Sequence, residues 1–215
     1  MNPAPQPAAP IRLLVADDHM VVRAGIVGLV DAEDDMTVIA QADDGHAAVD
    51  AFRQHRPDVT LMDLQMPGMD GIEAITAIRA EAPDARIVVL TTYGGDAQAV
   101  RALRAGAKGY LLKTMIRSEM LSAIRAAHQG QDFIPPAMAA AIGAHAGQQA
   151  LSPREIEVLR MVANSGRNKL AAAEMGITEG TIKVHMKNIL AKLEAKDRVQ
   201  AVMIALRRGI IDLDT

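Results

Sequence analysis

Residues 11–128 alternate short apolar runs with stretches of helical periodicity, and this alternation constrains the fold more than any other feature of the chain. Apolar residues spaced three or four positions apart are typical of helices, and short runs of branched residues between them are typical of buried strands. Strands that alternate with helices form a parallel sheet covered by helices on both faces. The pattern therefore predicts an α/β domain with five parallel strands.

The expected elements of this domain can be placed along the chain. We predict strands at 11–16, 36–41, 59–62, 86–91 and 110–112. We predict helices at 20–30, 45–55, 71–81, 97–105 and 116–127. Ligands of such sheets bind beyond the carboxyl ends of the strands, so the residues that follow the apolar runs are the first candidates for a site.

Four of the apolar runs end in residues that suit a cation and a phosphoryl group. The runs end in Asp17 and Asp18, in Asp63, in Thr91 and in Lys113. Three converging carboxylates repel one another unless a cation joins them. Oxygen ligands without His or Cys select Mg²⁺, Mn²⁺ or Ca²⁺, of which Mg²⁺ is the usual partner of phosphate chemistry. One aspartate could then accept a phosphoryl group, whose oxygens the hydroxyl and the ammonium would hold. The alternative is that these are ordinary polar residues of surface loops.

Composition indicates the cellular compartment of the protein and which partners are disfavoured. The chain has no cysteine, which excludes disulfides and fits a reducing compartment. Residues 1–10 predict a flexible Pro/Ala tail, not a signal peptide, and no run approaches the roughly 20 apolar residues of a membrane helix. We therefore expect a cytoplasmic protein without a membrane partner. Two Tyr, two Phe and no Trp disfavour binding of single-stranded nucleic acid.

The distribution of charge and the pattern of helix and strand signals suggest two domains with different partners. Residues 1–130 carry 17 acidic and 12 basic side chains, whereas residues 151–215 carry 8 and 11. Residues 129–150 contain Gly and Pro breaks and an Ala-rich stretch, which predict a partly helical linker. Residues 151–215 predict four helices, with caps at Ser152, Thr178 and Asp197.

The helices around Gly176 have the helix-turn-helix pattern of DNA-binding proteins. One face of the helix that follows this glycine carries Lys183, Val184, Lys187 and Asn188. Lysine can meet phosphates or guanine, asparagine can pair with adenine, and valine can touch a thymine methyl group. The alternative is a solvated face of an amphipathic helix.

The first part of the chain resembles the receiver domain of bacterial two-component response regulators, which has a flavodoxin-like (βα)5 fold. The resemblance rests on four motifs, VADDH at 15–19, MDLQMPGMDG at 62–71, LTTY at 90–93 and GAKGYLLK at 106–113. It implies that a sensor histidine kinase phosphorylates Asp63. It also implies Mg²⁺ ligands at Asp17, Asp18, Asp63 and the Gln65 carbonyl, a switch hydroxyl at Thr91, a phosphoryl-binding Lys113 and a switch aromatic at Tyr110.

The second part resembles the LuxR-type DNA-binding domain. The motifs are LSPREIEVL at 151–159 and GITEGTIKVH at 176–185. A receiver at 11–128, a linker at 129–150 and this domain at 151–215 together resemble the NarL/FixJ-type response regulators. The resemblance implies major-groove contacts from Lys183, Val184 and Lys187, with Thr181 near the backbone, and a homodimer in the active state.

Some residues depart from the family pattern or leave alternatives open. Thr114 follows Lys113 where many receivers have proline, and Leu170 and Ala171 stand where an acidic residue and isoleucine are usual. We expect most of the apolar stripe Val199, Val202, Met203 and Leu206 to be core, with a part left for dimer contact.

Rival functions remain at this point. One is a constitutive DNA-binding regulator, and the other is a Mg²⁺-dependent phosphohydrolase. Gln65 weighs against the second, because phosphatases of the haloacid dehalogenase type have an acid/base Asp two residues after the nucleophile. The opposite charge balances also suggest a hypothesis in which the acidic receiver covers the basic recognition helix before activation.

Overall fold

The computed structural model describes residues 9–92, 95–114, 117–145 and 149–211. The Cα positions divide the chain into two compact units, residues 1–92 with 101–135 and residues 93–100 with 136–215. Most of the predicted N-terminal tail, Tyr93 of the LTTY motif and the predicted helix start at Ile116 lie outside the described residues.

The first unit is built on a parallel sheet with strand order β2-β1-β3-β4-β5. The strands are β1 (Ile11–Ala16), β2 (Met36–Ala42), β3 (Val59–Asp63), β4 (Ile87–Thr91) and β5 (Gly109–Leu112). The helices that follow the strands along the chain are α1 (Met20–Val30), α2 (Gly45–His55), α3 (Gly71–Glu81), α4 (Asp96–Ala105), of which residues 96–100 are grouped with the second unit, and α5 (Arg117–His128). The predicted α/β fold is confirmed, and the boundaries agree with the predicted ones to within one residue.

Alternating strand residues give the sheet its two cores. Leu13, Leu61 and Leu90 are fully buried and share one core with the inward faces of α1 and α5. Leu14 and Met62 are also fully buried but lie outside that cluster, because successive side chains of a strand point to opposite faces. Helices α2 and α3 contact each other and the strands. Burial on both faces explains why the strands are nearly continuous apolar runs.

The edge strand β5 is partly paired by the chain that follows α5. The Phe133 amide donates to the Lys108 carbonyl over 2.8 Å, and the Tyr110 amide donates to the Phe133 carbonyl over 3.0 Å. Asp132 forms an exposed ion pair of 3.3 Å with Lys108. We call residues 132 and 133 the β5 edge segment. It satisfies backbone groups that an open sheet edge would leave unpaired.

The second unit contains helices within and beyond the predicted linker. Helix α6 (Pro136–Ala144) lies within the linker predicted at 129–150, and the helices that follow are α7 (Pro153–Ser165), α8 (Asn168–Glu174), α9 (Glu179–Lys192) and α10 (Arg198–Arg207). The predicted caps are confirmed, since the side chains of Ser152, Thr178 and Asp197 each accept a hydrogen bond from the third backbone N–H beyond them. Gly176 has φ of 64°, a left-handed conformation that favours glycine and permits the turn between α8 and α9.

A partly buried ion pair joins the start of α7 to the end of α9. Glu155 completes the capping box of α7 with Ser152. Its carboxylate also lies 2.7 Å from the Lys192 ammonium. Val158, Leu159 and Ile189 are fully buried in the same cluster, so this polar contact sits at the margin of an apolar core.

The expected core stripe of α10 is wrong in part. Val199 is 71% exposed and Met203 is 53% exposed, whereas Ala201 and Ala205 are fully buried. The small alanine side chains let the helix backbone approach the core closely, which turns the larger residues outward. By contrast, the departure at Leu170 and Ala171 is accommodated, because Leu170 is half-exposed and Ala171 is fully buried within α8.

Candidate functional site

The carboxyl ends of β1 and β3 bring three aspartates together. Carboxylate oxygens of Asp17, Asp18 and Asp63 and a ring nitrogen of His19 all lie within 4.8 Å of one another. Asp17 is fully buried and Asp63 is 2% exposed, whereas the Asp18 side chain is 31% exposed. Strands β1 and β3 are direct neighbours in the sheet, which explains why residues 46 positions apart in sequence share one site.

Lys113 follows β5 and reaches the same cluster. Its ammonium lies 2.8 Å from Asp17 Oδ2 and 2.7 Å from Asp63 Oδ2. The Asp63 contact is a hydrogen bond, while the Asp17 contact is an ion pair without good hydrogen-bond alignment. The Lys113 side chain is only 8% exposed. One cation therefore faces two buried carboxylates.

The pKa values of this pair follow from burial and from the charge imbalance. Burial raises the pKa of Asp63 above its usual value of 3.8, and the contact with Lys113 offsets this effect only in part. Burial lowers the pKa of Lys113, but the contacts with Asp17 and Asp63 outweigh it, so the pKa rises above 10.5. Lys113 thus stays charged, and the aspartates have too little positive charge around them.

The other predicted residues of this site occupy nearby positions. The backbone N–H of Gln65 donates to Asp63 Oδ1 over 3.2 Å, which orients the carboxylate that Lys113 also binds. Thr91 ends β4 and is fully buried. Tyr110 lies in β5 and is 1% exposed. Strands β3, β4 and β5 are adjacent, so all of these residues belong to one half of the sheet.

The donor set fits a hard divalent cation. Three carboxylates supply oxygen ligands, and Lys113 alone cannot neutralise them. Buried, electron-rich oxygens of this kind are the ligands that Mg²⁺ and similar ions prefer. Asp17, Asp18 and Asp63 are the residues that would hold such an ion.

His19 was not among the site residues predicted from the sequence. Its backbone N–H donates to Asp17 Oδ1 over 2.9 Å, and its ring Nδ1 lies 2.7 Å from Asp18 Oδ1. The only signal in the sequence is its position directly after the two aspartates. A polar residue at that position is common in any loop, so the signal was weak.

Helix α9 exposes the residues predicted to meet DNA. Thr181, Lys183, Lys187 and Asn188 are exposed, and Val184 is 61% exposed. The opposite face carries the buried residues Ile182, Met186 and Ile189. The face of α9 that was predicted to meet DNA is therefore accessible to a partner.

The first turn of α9 carries its own counter-charge. The Lys183 ammonium lies 3.0 Å from the Glu179 carboxylate one turn earlier, and both side chains are largely exposed. Thr181 donates its backbone N–H to the Thr178 hydroxyl and its own hydroxyl lies 2.9 Å from the same oxygen. Thr181 therefore helps to cap the helix.

An α/β domain with an acidic site at its strand ends, followed along the chain by a helix-turn-helix domain, defines a class of DNA-binding regulatory proteins. Comparison with known families gives two matches, the response regulator receiver domain at residues 13–125 and the luxR family of bacterial regulatory proteins at residues 149–205. The chain belongs to the two-component response regulators of the LuxR family, as the sequence motifs predicted.

Individual relatives agree along nearly the whole chain. The uncharacterized transcriptional regulatory protein YxjL of Bacillus subtilis is 41% identical over 94% of this chain and 97% of its own length. The transcriptional regulatory protein LiaR of the same organism is 40% identical over 94% of this chain and its full length. The solved complex of the response regulator RcsB with DNA has a TM-score of 0.67 and 25% identity, covering 92% of this chain and 98% of RcsB.

Within the described ranges, none of the helices has the length and apolar character needed to cross a membrane.

Proposed function

We propose that phosphorylation of Asp63 by a sensor histidine kinase switches this response regulator, and that the phosphorylated protein controls transcription by binding double-stranded DNA through α9. The observation that carries the proposal is the buried group of Asp17, Asp63 and Lys113 at the strand ends. It offers a nucleophile and a fixed cation in a chain that also exposes a lysine-bearing recognition helix. We place the reaction in the cytoplasm, where the proposed DNA target lies.

The phosphoryl transfer assigns a role to each residue. A carboxylate oxygen of Asp63 attacks the phosphorus of the kinase phosphohistidine, the new O–P bond forms as the P–N bond breaks, and the imidazole leaves with the electron pair. Lys113, already 2.7 Å from Asp63, would stabilise the negative charge of the transferred group. Mg²⁺ held by Asp17, Asp18, Asp63 and the Gln65 carbonyl would neutralise charge on the phosphoryl oxygens.

The switch and the output follow from the remaining predicted residues. The Thr91 hydroxyl would bind the phosphoryl group, and the Tyr110 ring would respond to that movement. Lys183, Val184, Lys187 and Asn188 would enter the major groove, with Thr181 at the backbone. RcsB, the structural neighbour, was solved as a complex with DNA, and RcsB dimers were solved on DNA as well. We extend to this chain a homodimer in the active state.

One experiment tests the proposal. Wild-type protein is treated with a small-molecule phosphodonor and Mg²⁺, and is compared with Asp63→Asn by intact mass and by DNA binding. We expect wild type to gain one phosphoryl group and to bind DNA more tightly, and Asp63→Asn to do neither. Asp84→Asn is the matched control, because Asp84 is an exposed loop aspartate and its loss should leave both results unchanged.

The rival functions predict different outcomes of the same experiment. DNA binding that ignores both the phosphodonor and the Asp63→Asn change would indicate a constitutive regulator. Continuous hydrolysis of small phosphoesters, with no stable phosphoprotein, would indicate a phosphohydrolase.

A further inference from the structure

The His19 side chain faces the acidic site with its ring as well as its backbone. Its Nδ1 atom lies 2.7 Å from Asp18 Oδ1 and 3.6 Å from Asp17 Oδ1. The ring nitrogen and the three carboxylates fall within a common 4.8 Å. The cluster therefore combines oxygen donors with one imidazole nitrogen.

The position of His19 in the fold makes this orientation informative. His19 is the N-cap residue of α1, where a side chain ordinarily accepts a hydrogen bond from the first turn. In α1 no side-chain cap hydrogen bond is present, and the first turn contains no acidic residue. The ring is turned towards Asp18 and Asp17 instead of the helix. Since 63% of the side chain is exposed, a solvated ion can reach it.

An imidazole changes which metal a carboxylate site prefers. Mg²⁺ and Mn²⁺ favour oxygen ligands, whereas imidazole suits the later transition ions such as Co²⁺ and Ni²⁺. Affinity for a site with nitrogen ligands rises along that series, so one added nitrogen strengthens the binding of Co²⁺ more than that of Mg²⁺.

We infer that His19 is a metal-binding residue of the Asp17–Asp18–Asp63 site and biases that site towards later transition ions such as Co²⁺ and Ni²⁺. This inference rests on the proposed metal-dependent phosphorylation of Asp63 and specifies which ions can support it. His19 would bind the metal through the Nδ1 lone pair, with the ring proton on Nε2, so the metal bond would replace the hydrogen bond from Nδ1 to Asp18.

Direct metal binding to the untagged full chain tests the inference. Dissociation constants for Mg²⁺, Co²⁺ and Ni²⁺ are measured by calorimetry at about pH 8, where an ordinary imidazole is neutral. We expect His19→Ala to weaken Co²⁺ and Ni²⁺ binding by roughly 10-fold or more and Mg²⁺ binding by less than about 3-fold. The visible absorption of bound Co²⁺ should also shift in the variant, because a nitrogen ligand is lost.

Three variants separate a metal ligand from other roles. His19→Gln keeps a hydrogen-bonding group beside Asp18 but offers no imidazole, so it should lose the same selectivity as His19→Ala. Asp18→Asn should weaken all three ions together. His55→Ala removes an imidazole from the far end of α2 and should change none of the constants, with circular dichroism confirming that each variant is folded.

Two outcomes would overturn the inference while leaving the proposed function intact. Equal weakening of Mg²⁺ and Co²⁺ in His19→Ala would mean that His19 only orients Asp18. Unchanged constants for every ion would mean that the ring is a solvated neighbour. If wild type itself bound no divalent ion and accepted no phosphoryl group, the proposed function would fail first.

Discussion

Lys113 and the residues around it set the electrostatics of the acidic site. The single ammonium contacts both Asp17 and Asp63, and burial still keeps the pKa of Asp63 raised. The carboxylates of the site therefore carry more negative charge than the protonated Lys113 can neutralise. A divalent ion or a proton can neutralise the remaining charge, which links metal binding and protonation at this position.

The partly buried Glu155–Lys192 pair should contribute measurably to stability. Glu155→Gln removes a charge that accepts from the Ser152 amide and lies 2.7 Å from Lys192. We expect the free energy of unfolding of the second unit to fall by about 1–2 kcal/mol, measured by denaturant titration at neutral pH. Glu157→Gln is the matched control, since the Arg154–Glu157 pair is exposed and should contribute less than about 0.5 kcal/mol.

The same pair predicts a pH dependence. Burial raises the pKa of Glu155, but hydrogen bonds from Lys192 and Ser152 outweigh it and hold the pKa below 4.5. A carboxyl with a lowered folded-state pKa stabilises the fold above its unfolded-state pKa and loses that effect as the pH falls. The difference between wild type and Glu155→Gln should therefore shrink below about pH 4.5. A difference that stays constant on acidification would contradict the assignment.

At the scale of single elements, the loop after β3 is held by a close backbone approach. A Cβ atom on Gly71 would lie 2.0 Å from the Asp63 carbonyl oxygen and 2.8 Å from Leu64 Cα. The Gly71 amide also donates to the Leu64 carbonyl over 3.0 Å. Helix α3 thus begins directly against the strand end that carries Asp63, so its first residue must lack a side chain.

Gly71→Ala should disturb both stability and phosphorylation. We expect unfolding free energy to fall by more than about 2 kcal/mol, because backbone atoms would have to move. The rate of phosphorylation at Asp63 should fall as well, measured by intact mass against time. Gly25→Ala is the control, since nothing lies within 4 Å of its added Cβ and alanine in a helix interior should stabilise by about 0.5–1 kcal/mol.

The β5 edge segment should protect strand β5 from local opening. Phe133 pairs with β5 through its backbone and packs its ring partly against the core. We expect Phe133→Ala to speed hydrogen exchange at the Tyr110 amide, which donates to the Phe133 carbonyl. Asp132→Ala removes only the exposed ion pair with Lys108 and should leave that exchange nearly unchanged. Equal effects of the two variants would refute a packing role for the Phe133 ring.

The sequence predicted regular elements better than contacts between them. Helix α1 was predicted at its observed bounds because its apolar residues recur with helical spacing. Pairing of Phe133 with β5 was missed, since one residue carries no periodicity. Val199 and Met203 were expected in the core and are exposed, because the sequence alone does not show that Ala201 and Ala205 pack closest. The acidic site was predicted from strand ends, whereas the ring orientation of His19 depends on the folded loop.

At the scale of the whole molecule, charge is divided between two functions. The first 130 residues have a balance of −5 and the last 65 a balance of +3. The phosphorylation site and the DNA-binding surface that we propose would account for this division, because a metal-binding site needs acidic groups and a DNA-binding surface needs basic ones. DNA affinity should therefore depend strongly on salt.

Individual lysines of α9 should account for part of that salt dependence. We expect Lys183→Ala and Lys187→Ala each to lower the slope of log affinity against log salt concentration by about 1, measured by anisotropy titration with an operator duplex. Lys108→Ala removes the same charge from the first unit and should leave the slope unchanged. Comparing slopes with and without phosphodonor also tests the masking hypothesis, which fails if phosphorylation changes neither slope nor affinity.

The burial of Tyr110 has a practical consequence for following the switch. The chain contains no tryptophan and two tyrosines in all, and Tyr110 is almost completely enclosed beside the proposed switch. Intrinsic ultraviolet fluorescence of this protein therefore comes from tyrosine alone, and a change in the surroundings of the Tyr110 ring would alter a large share of it. Tyrosine fluorescence can therefore be used to time activation in a stopped-flow instrument without attaching a dye.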